Sequence, residues 1–213
     1  HIGFGFACLL NINFNFYFIE NASKKNIELL NAQDNALNKF LKNDKTILAF
    51  KNLWQSKNDI DLAYRNYKDK AYFIKDLIIP HYNQSSHVIN NTVEKLLIKD
   101  EEFFRGACST VITSIIFAKF LGFKKIVLHG IDFSGGYFFD NFSNNTDYRD
   151  CIPPHSKEVY NKNWRIKNSQ HETASCLELI LPVLKEKLCS KYDIELFSSI
   201  DHSGSSKFLK PFF

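Results

Sequence analysis

Apolar and polar residues alternate from Ile12 through Phe16, and the run closes as the unbroken Tyr17-Phe18-Ile19. This period of two predicts a strand that ends at Glu20-Asn21-Ala22-Ser23. The chain already reads as a strand where it starts, at His1. From Lys24 to Leu41 the period lengthens: Ile27, Leu30, Ala36, Leu37, Phe40 and Leu41 stand among Lys, Asn and Gln. That spacing predicts an amphipathic helix laid over one face of a sheet. Thr46 to Phe50 predicts a short buried strand, Asp59 to Tyr67 a short helix, and Lys70 to Ile74 with Leu77 to Ile79 a further strand before Pro80. His81 to Asn91 is polar and irregular, and Thr92 to Ile98 predicts a brief helix.

The stretch Phe103 to Asp140 is the most strongly patterned. Arg105-Gly106 leads to a helix over Ser109 to Phe120, where Val111, Ile112, Ile115, Ile116 and Ala118 recur at the helical period. Ser109 or Thr110 suits the N-cap, and Gly122 suits the left-handed residue just past the C-terminus. A strand over Lys125 to Ile131 follows, apolar enough to be covered on both faces, with His129 expected inside it as a core residue. A polar loop opens at Asp132. Residues 141–173 are dense in Asn, Ser, Asp, Tyr and Pro; their aromatic content, including Tyr148, Tyr160 and Trp164, predicts an ordered lid-like loop. A last helix is expected over Ala174 to Leu188, kinked or shifted by Pro182, then a strand over Ile194 to Phe197 and a Ser-rich loop over Ser198 to Phe213. Strands alternating with helices predict an α/β chain: one Rossmann-like domain over residues 1–213, with a mainly parallel sheet flanked by helices and a lid-like insertion. In such folds ligands collect beyond the carboxyl ends of the strands, here Asp132 to Gly136.

Composition narrows the function classes. The chain has 213 residues, 45% hydrophobic and 23% charged, which is an ordinary globular balance. A net charge of +4 with lysines spread along the chain lacks the footprint of a nucleic-acid binder. Five scattered cysteines, Cys8, Cys108, Cys151, Cys176 and Cys189, form no CxxC pair, which fits reduced thiols in a cytoplasm and no zinc site. Asn11, Asn13 and Asn15 interrupt the apolar N-terminal run, so no membrane span or signal peptide is expected there. The absence of methionine and the start inside a strand suggest a piece without its natural N-terminus.

Folded this way, the chain would gather Arg105, Ser109, Thr110, Asp132, Tyr137, Asp140, His171 and Thr173, a set suited to a polar, anionic ligand. Arg105 ahead of a helix N-terminus offers a guanidinium beside free N–H groups, although pairing with Asp132 or Glu102 would explain it equally. Asp132 suits either a sugar hydroxyl or a loop cap. His171, just before the last helix, suits a general base, and a surface histidine is the alternative. His155 is a weaker candidate. No HExxH, Walker A or complete GxGxxG motif occurs, and no metal site is expected.

With these residues in view, the chain resembles the bacterial sialyltransferases of glycosyltransferase family 42, and more diffusely a Rossmann-like group that includes the MptE-like pterin pyrophosphokinases. The resemblance is carried by Arg105, Ser109-Thr110, Leu121-Gly122-Phe123-Lys124, Gly130-Ile131-Asp132-Phe133 and Tyr137-Phe138-Phe139-Asp140. Glu20-Asn21-Ala22-Ser23 is similar to the family's donor-binding strand end, and His171 to its catalytic base. Gly5 stands where the family carries an Asn, Ser134 where it carries a phosphate-binding Tyr, and the family's first strand with its glycine loop has no counterpart here. The resemblance implies a glycosyltransferase moving sialic acid or a related nonulosonate from a CMP-activated donor to a glycan acceptor, as in lipopolysaccharide or capsule synthesis. By that likeness His171 deprotonates the acceptor, Tyr137 supports the leaving phosphate, and Asn21, Arg105, Ser109, Thr110, Asp132 and Ser134 hold the donor, with no cofactor or metal. It further implies a cytoplasmic protein at the inner face of the bacterial membrane, and leaves peripheral membrane association and homo-oligomer formation open. Two other functions fit the same residues: an MptE-like diphosphotransferase using ATP and Mg²⁺ held by Asp132 and Asp140, and a non-catalytic carbohydrate-binding domain.

Overall fold

The computed structural model describes residues 1–10, 12–20, 27–41, 45–51, 71–76, 85–98, 105–106, 110–131, 146–152, 174–199 and 204–212. The protein is a mixed α/β chain with parallel strands flanked by helices. It divides into two compact units, residues 1–76 with 137–155, and residues 77–136 with 156–213.

The first unit carries strands β1 (Ile2–Phe4), β2 (Phe16–Glu20), β3 (Ile47–Lys51) and β4 (Ala71–Asp76), paired in that order and all parallel. Parallel neighbours need a crossover, and α1 (Ile27–Phe40) supplies the one between β2 and β3. Tyr17 and Ile19 of β2 and Leu48 of β3 meet Ala36 and Leu37 of α1, together with Cys8, Leu9 and Phe14. Leu37 is 1% exposed, a burial that contributes roughly 2 kcal/mol. The alternation that predicts a strand from Ile12 holds as burial only at Phe14, buried between exposed Asn13 and Asn15, while Ile12 is itself exposed and the strand begins at Phe16. Asn15 and Asn13 instead bind His1: the Asn15 amide donates to its carbonyl at 2.9 Å, and its ring approaches the Asn13 carbonyl at 3.2 Å.

Within the expected lid, residues Thr146–Cys151 form a 3-10 turn that belongs to this core. Asn35 Nδ2 donates to the Asp150 carbonyl at 2.9 Å, Lys39 Nζ donates to the Asp147 carbonyl, and the Tyr148 ring stacks on Phe40 at 4.9 Å. Cys151 and Ile152 are buried beneath them. This part of 141–173 is therefore a structural anchor, because its apolar residues have a core to enter. The expected helix over Asp59 to Tyr67 and the continuation over Leu77 to Ile79 lie outside the described residues.

On α1 the Asp34 carboxyl is half-buried, and its Oδ1 is occluded without a hydrogen-bond partner. Burial raises its pKa. A raised carboxyl pKa favours folding at low pH, and that advantage is lost as pH climbs from the unfolded value through the folded one. Asp34→Asn is therefore expected to stabilise the protein at neutral pH by on the order of 0.5 kcal/mol after allowance for solvent screening. The gain should vanish in urea titrations at acid pH, and a destabilised variant at neutral pH would contradict it.

The second unit contains α2 (Ser86–Leu97), the two-residue strand β5 (Arg105–Gly106), α3 (Thr110–Phe120), β6 (Lys125–Leu128), α4 (Ala174–Tyr192), β7 (Glu195–Ser198) and β8 (Lys210–Pro211). β6, β7 and β8 pair in that order, all parallel. Leu177, Ile180, Leu181, Leu184 and Leu188 form one buried stripe along α4, which packs against α2 and α3. α4 continues through Pro182 to Tyr192, longer than expected. α2 starts six residues before the expected Thr92, because Ser85 Oγ caps it by accepting from the Val88 amide. α3 stops as Gly122 predicts. Gly122 takes φ +86, its amide donates to the Lys119 carbonyl at 2.9 Å, and the Phe123 amide donates to the Ala118 carbonyl at 3.1 Å, a Schellman closure.

Three expectations for this unit are corrected. β6 ends at Leu128 instead of Ile131, and it runs from exposed Lys125 through half-buried Ile126 and Val127 to buried Leu128, so it is not covered throughout on both faces. His129 lies beyond the strand and is exposed, and the chain turns at Gly130 with φ +63. The Ser-rich C-terminal stretch is ordered as a 3-10 turn over Gly204–Lys207 and the strand β8. Pro211 is accommodated in β8, at the edge of this three-stranded sheet, where a missing N–H costs no ladder bond. The Phe212 amide donates to the Ser198 carbonyl at 2.8 Å.

Candidate functional site

Parallel strands direct function to their carboxyl ends, and in the second unit that end is built by β6, β7 and the turns after them. The Ser199 amide donates to the Leu128 carbonyl at 2.9 Å, and the Ser205 amide donates to the Ile131 carbonyl at 3.0 Å. Ser198 and Ser205 hydroxyls are 3.0 Å apart, both fully buried, and Ser199 is buried beside them. These contacts fix Ile131, itself buried, at the point where the chain passes to Asp132. The cluster is neutral and internally bonded, so it holds the chain from the end of β6 to Ile131 in place and does not supply an acid, base or nucleophile. It is absent from the sequence-based list of candidates, although the run Ser198-Ser199 after a strand is its signal.

Of the expected site residues, Thr110 is the first residue of α3 and is buried, at 6% exposure. Arg105 lies in β5, five positions ahead of it. Asn21, Ser109, Asp132, Ser134, Tyr137 and His171 lie outside the described residues, as do Asp140, His155 and Thr173. In sequence Asn21 follows directly on Glu20, the last residue of β2, and His171 stands three positions before Ala174, the first of α4. Further along α3, the Ser114 hydroxyl is buried without a hydrogen-bond partner.

The polar groups buried in the first unit are structural. Tyr17 donates its phenol hydrogen to the Gly5 carbonyl at 2.8 Å and accepts from the Cys8 amide at 3.1 Å. Burial raises the Tyr17 phenol well above its ordinary range and pushes the Cys8 thiol up to about 11, against a smaller lowering by the bond with Tyr17. Both stay neutral at physiological pH, and a thiol so held is a poor nucleophile. Gly5 itself, with φ +61, turns the chain after β1. Among the described residues no group of three His, Cys, Asp or Glu could hold a metal ion, and no helix is long and apolar enough to cross a membrane. No protein-family model, curated protein or solved structure matches the chain.

Proposed function

We propose that this chain is a Rossmann-like, metal-independent glycosyltransferase that uses a CMP-activated sialic acid or related nonulosonate. The observation that supports it is the succession β5, α3, β6. The motif residues of the sialyltransferase likeness fall on its boundaries: Arg105 in the strand before the helix, Thr110 opening the helix, Gly122 closing it and Gly130-Ile131 leaving β6 toward Asp132. A helix N-terminus preceded by an arginine suits the donor phosphate. The loop after a parallel strand suits its sugar and nucleoside. On this reading His171 takes the acceptor proton, Tyr137 steadies the departing phosphate, and Asn21, Ser109, Asp132 and Ser134 complete the donor contacts.

The test is a thermal-shift titration of the protein with CMP, UDP, GDP and ATP, each in EDTA and in Mg²⁺. A ligand at one hundred times its dissociation constant stabilises the protein by about 2.7 kcal/mol. Stabilisation by CMP in EDTA is the expected result. A response confined to ATP with Mg²⁺ would favour diphosphotransfer, and no response to any nucleotide would replace both enzyme readings by the non-catalytic binding domain.

A further inference from the structure

The Ser198 and Ser205 hydroxyls lie where three stretches of the second unit meet. The Ser205 amide donates to the Ile131 carbonyl beyond β6 at 3.0 Å, and the Ser205 carbonyl accepts from the Phe208 and Leu209 amides, each at 3.0 Å. Ser198 ends β7, and its carbonyl accepts from the Phe212 amide just past β8 at 2.8 Å. The 3.0 Å bond between the two hydroxyls joins these stretches. From α4, Lys185 Nζ donates to the Phe208 carbonyl at 2.8 Å and so holds the same turn from its other side.

Both serines are fully buried, and replacing both partners of a buried hydrogen bond by apolar groups is nearly neutral for stability. What the pair adds over two alanines is direction, because a hydrogen bond fixes distance and angle where an apolar contact does not. Direction matters at this point. Gly130, with φ +63, is the most permissive residue on the way out of β6, so the local backbone does not set where the chain goes next. The Ile131 carbonyl belongs to the planar peptide group that leads to Asp132, and holding that carbonyl sets the course of the chain as it leaves Ile131. We propose that Ser198 and Ser205 are positioning residues for donor binding, their hydroxyl bond orienting the Ser205 amide that holds Ile131 and, through it, the Asp132 contact to the nucleotide. This inference rests on the glycosyltransferase reading above. Neither serine touches a reacting atom, so the pair acts on donor affinity and not on proton transfer.

The experiment is calorimetric titration with CMP in EDTA of the parent and its variants, with amide hydrogen exchange on the same proteins without nucleotide. Ser198→Ala, Ser205→Ala and the double variant should each weaken CMP binding about tenfold, the double no more than either single, because one and the same bond is lost in all three. The double variant should keep the parent's melting temperature, and its amide exchange around Ile131 should quicken by about tenfold while that of α4 is unchanged. Lys185→Met, which keeps the stem and loses the bond to Phe208, should weaken CMP about threefold and decides the matter if a serine variant does not fold. Thr46→Val removes a buried bond to the Phe14 carbonyl in the first unit, 2.7 Å long, and should lower the melting temperature with CMP affinity within about twofold of the parent. Faster exchange around Ile131 with unchanged CMP affinity makes the serine pair structural only and overturns the proposal, as does an equal loss of affinity from Thr46→Val. A parent that binds CMP no better than its serine variants ends the proposal alone. A parent that binds no CMP ends the glycosyltransferase reading and the proposal with it.

Discussion

Gly3→Ala is expected to destabilise the first unit by about 2–3 kcal/mol, the upper part of the range for overpacking a buried site. A Cβ at this position would lie 2.7 Å from Phe14 Cδ1 and 2.7 Å from both Cδ2 and Cε2 of Tyr17. Neither ring can yield cheaply. Tyr17 is the register partner of Gly3, is fully buried, and is tied at its far end to the Gly5 carbonyl and the Cys8 amide. Phe14, also buried, stands edge-on to Tyr17 with centroids 5.3 Å apart. The effect should appear as a lower urea midpoint with an unchanged slope. Phe14→Leu in the Gly3→Ala background should recover part of the loss, a coupling that a double-mutant cycle isolates. A Gly3→Ala protein as stable as its parent would mean that the two rings are not held as described.

The second large effect concerns turnover. On the proposed reading, His171→Ala lowers the rate of sugar transfer by about two to four powers of ten, the usual contribution of a general base, while CMP binding and the melting temperature stay within error of the parent. Retained CMP binding matters, because it separates loss of proton transfer from loss of the donor site. Transfer of a labelled sugar to a glycan acceptor is the measurement. An unchanged rate removes His171 from the chemistry, and an unchanged glycan affinity with no transfer in either protein leaves the binding-domain reading in its place.

Where one element buries one regular face, the sequence was legible. The period of α1 and of α4, the Gly122 stop and the apolar run at Tyr17 to Ile19 all predict what the structure contains, because local propensity and burial agree there. Errors arose where a distant segment or a polar cap decides. α2 hides its first turn behind His87, Asn90 and Asn91, residues of weak helix propensity, and only the Ser85 cap and the packing of Val93, Leu96 and Leu97 reveal it. His129 reads as strand core because Ile126-Val127-Leu128 precedes it, but the pattern cannot show that the chain turns at Gly130. The turn at Thr146–Cys151 has no periodicity of its own, and its place depends on α1. Of the candidate site, the buried serines were legible only as composition, since the pairing of Ser198 with Ser205 depends on how the turn Gly204–Lys207 folds back on β7.

The anchoring of Thr146–Cys151 on α1 has a consequence for synthesis. Asn35 and Asp150 are 115 positions apart, so the first unit is built from two separate stretches of chain. The ribosome passes Asp76 with that core still lacking Cys151 and Ile152, and it must make the first part of the second unit before they appear. At about 5–20 residues per second, the 79 residues from Leu77 to His155 take roughly 4–16 s. During that interval part of the apolar face around Cys8, Leu9 and Leu37 is without the segment that later covers it. Nascent chains arrested short of Cys151 should therefore stay protease-sensitive in α1, and acquire protection only once the anchor has left the exit tunnel.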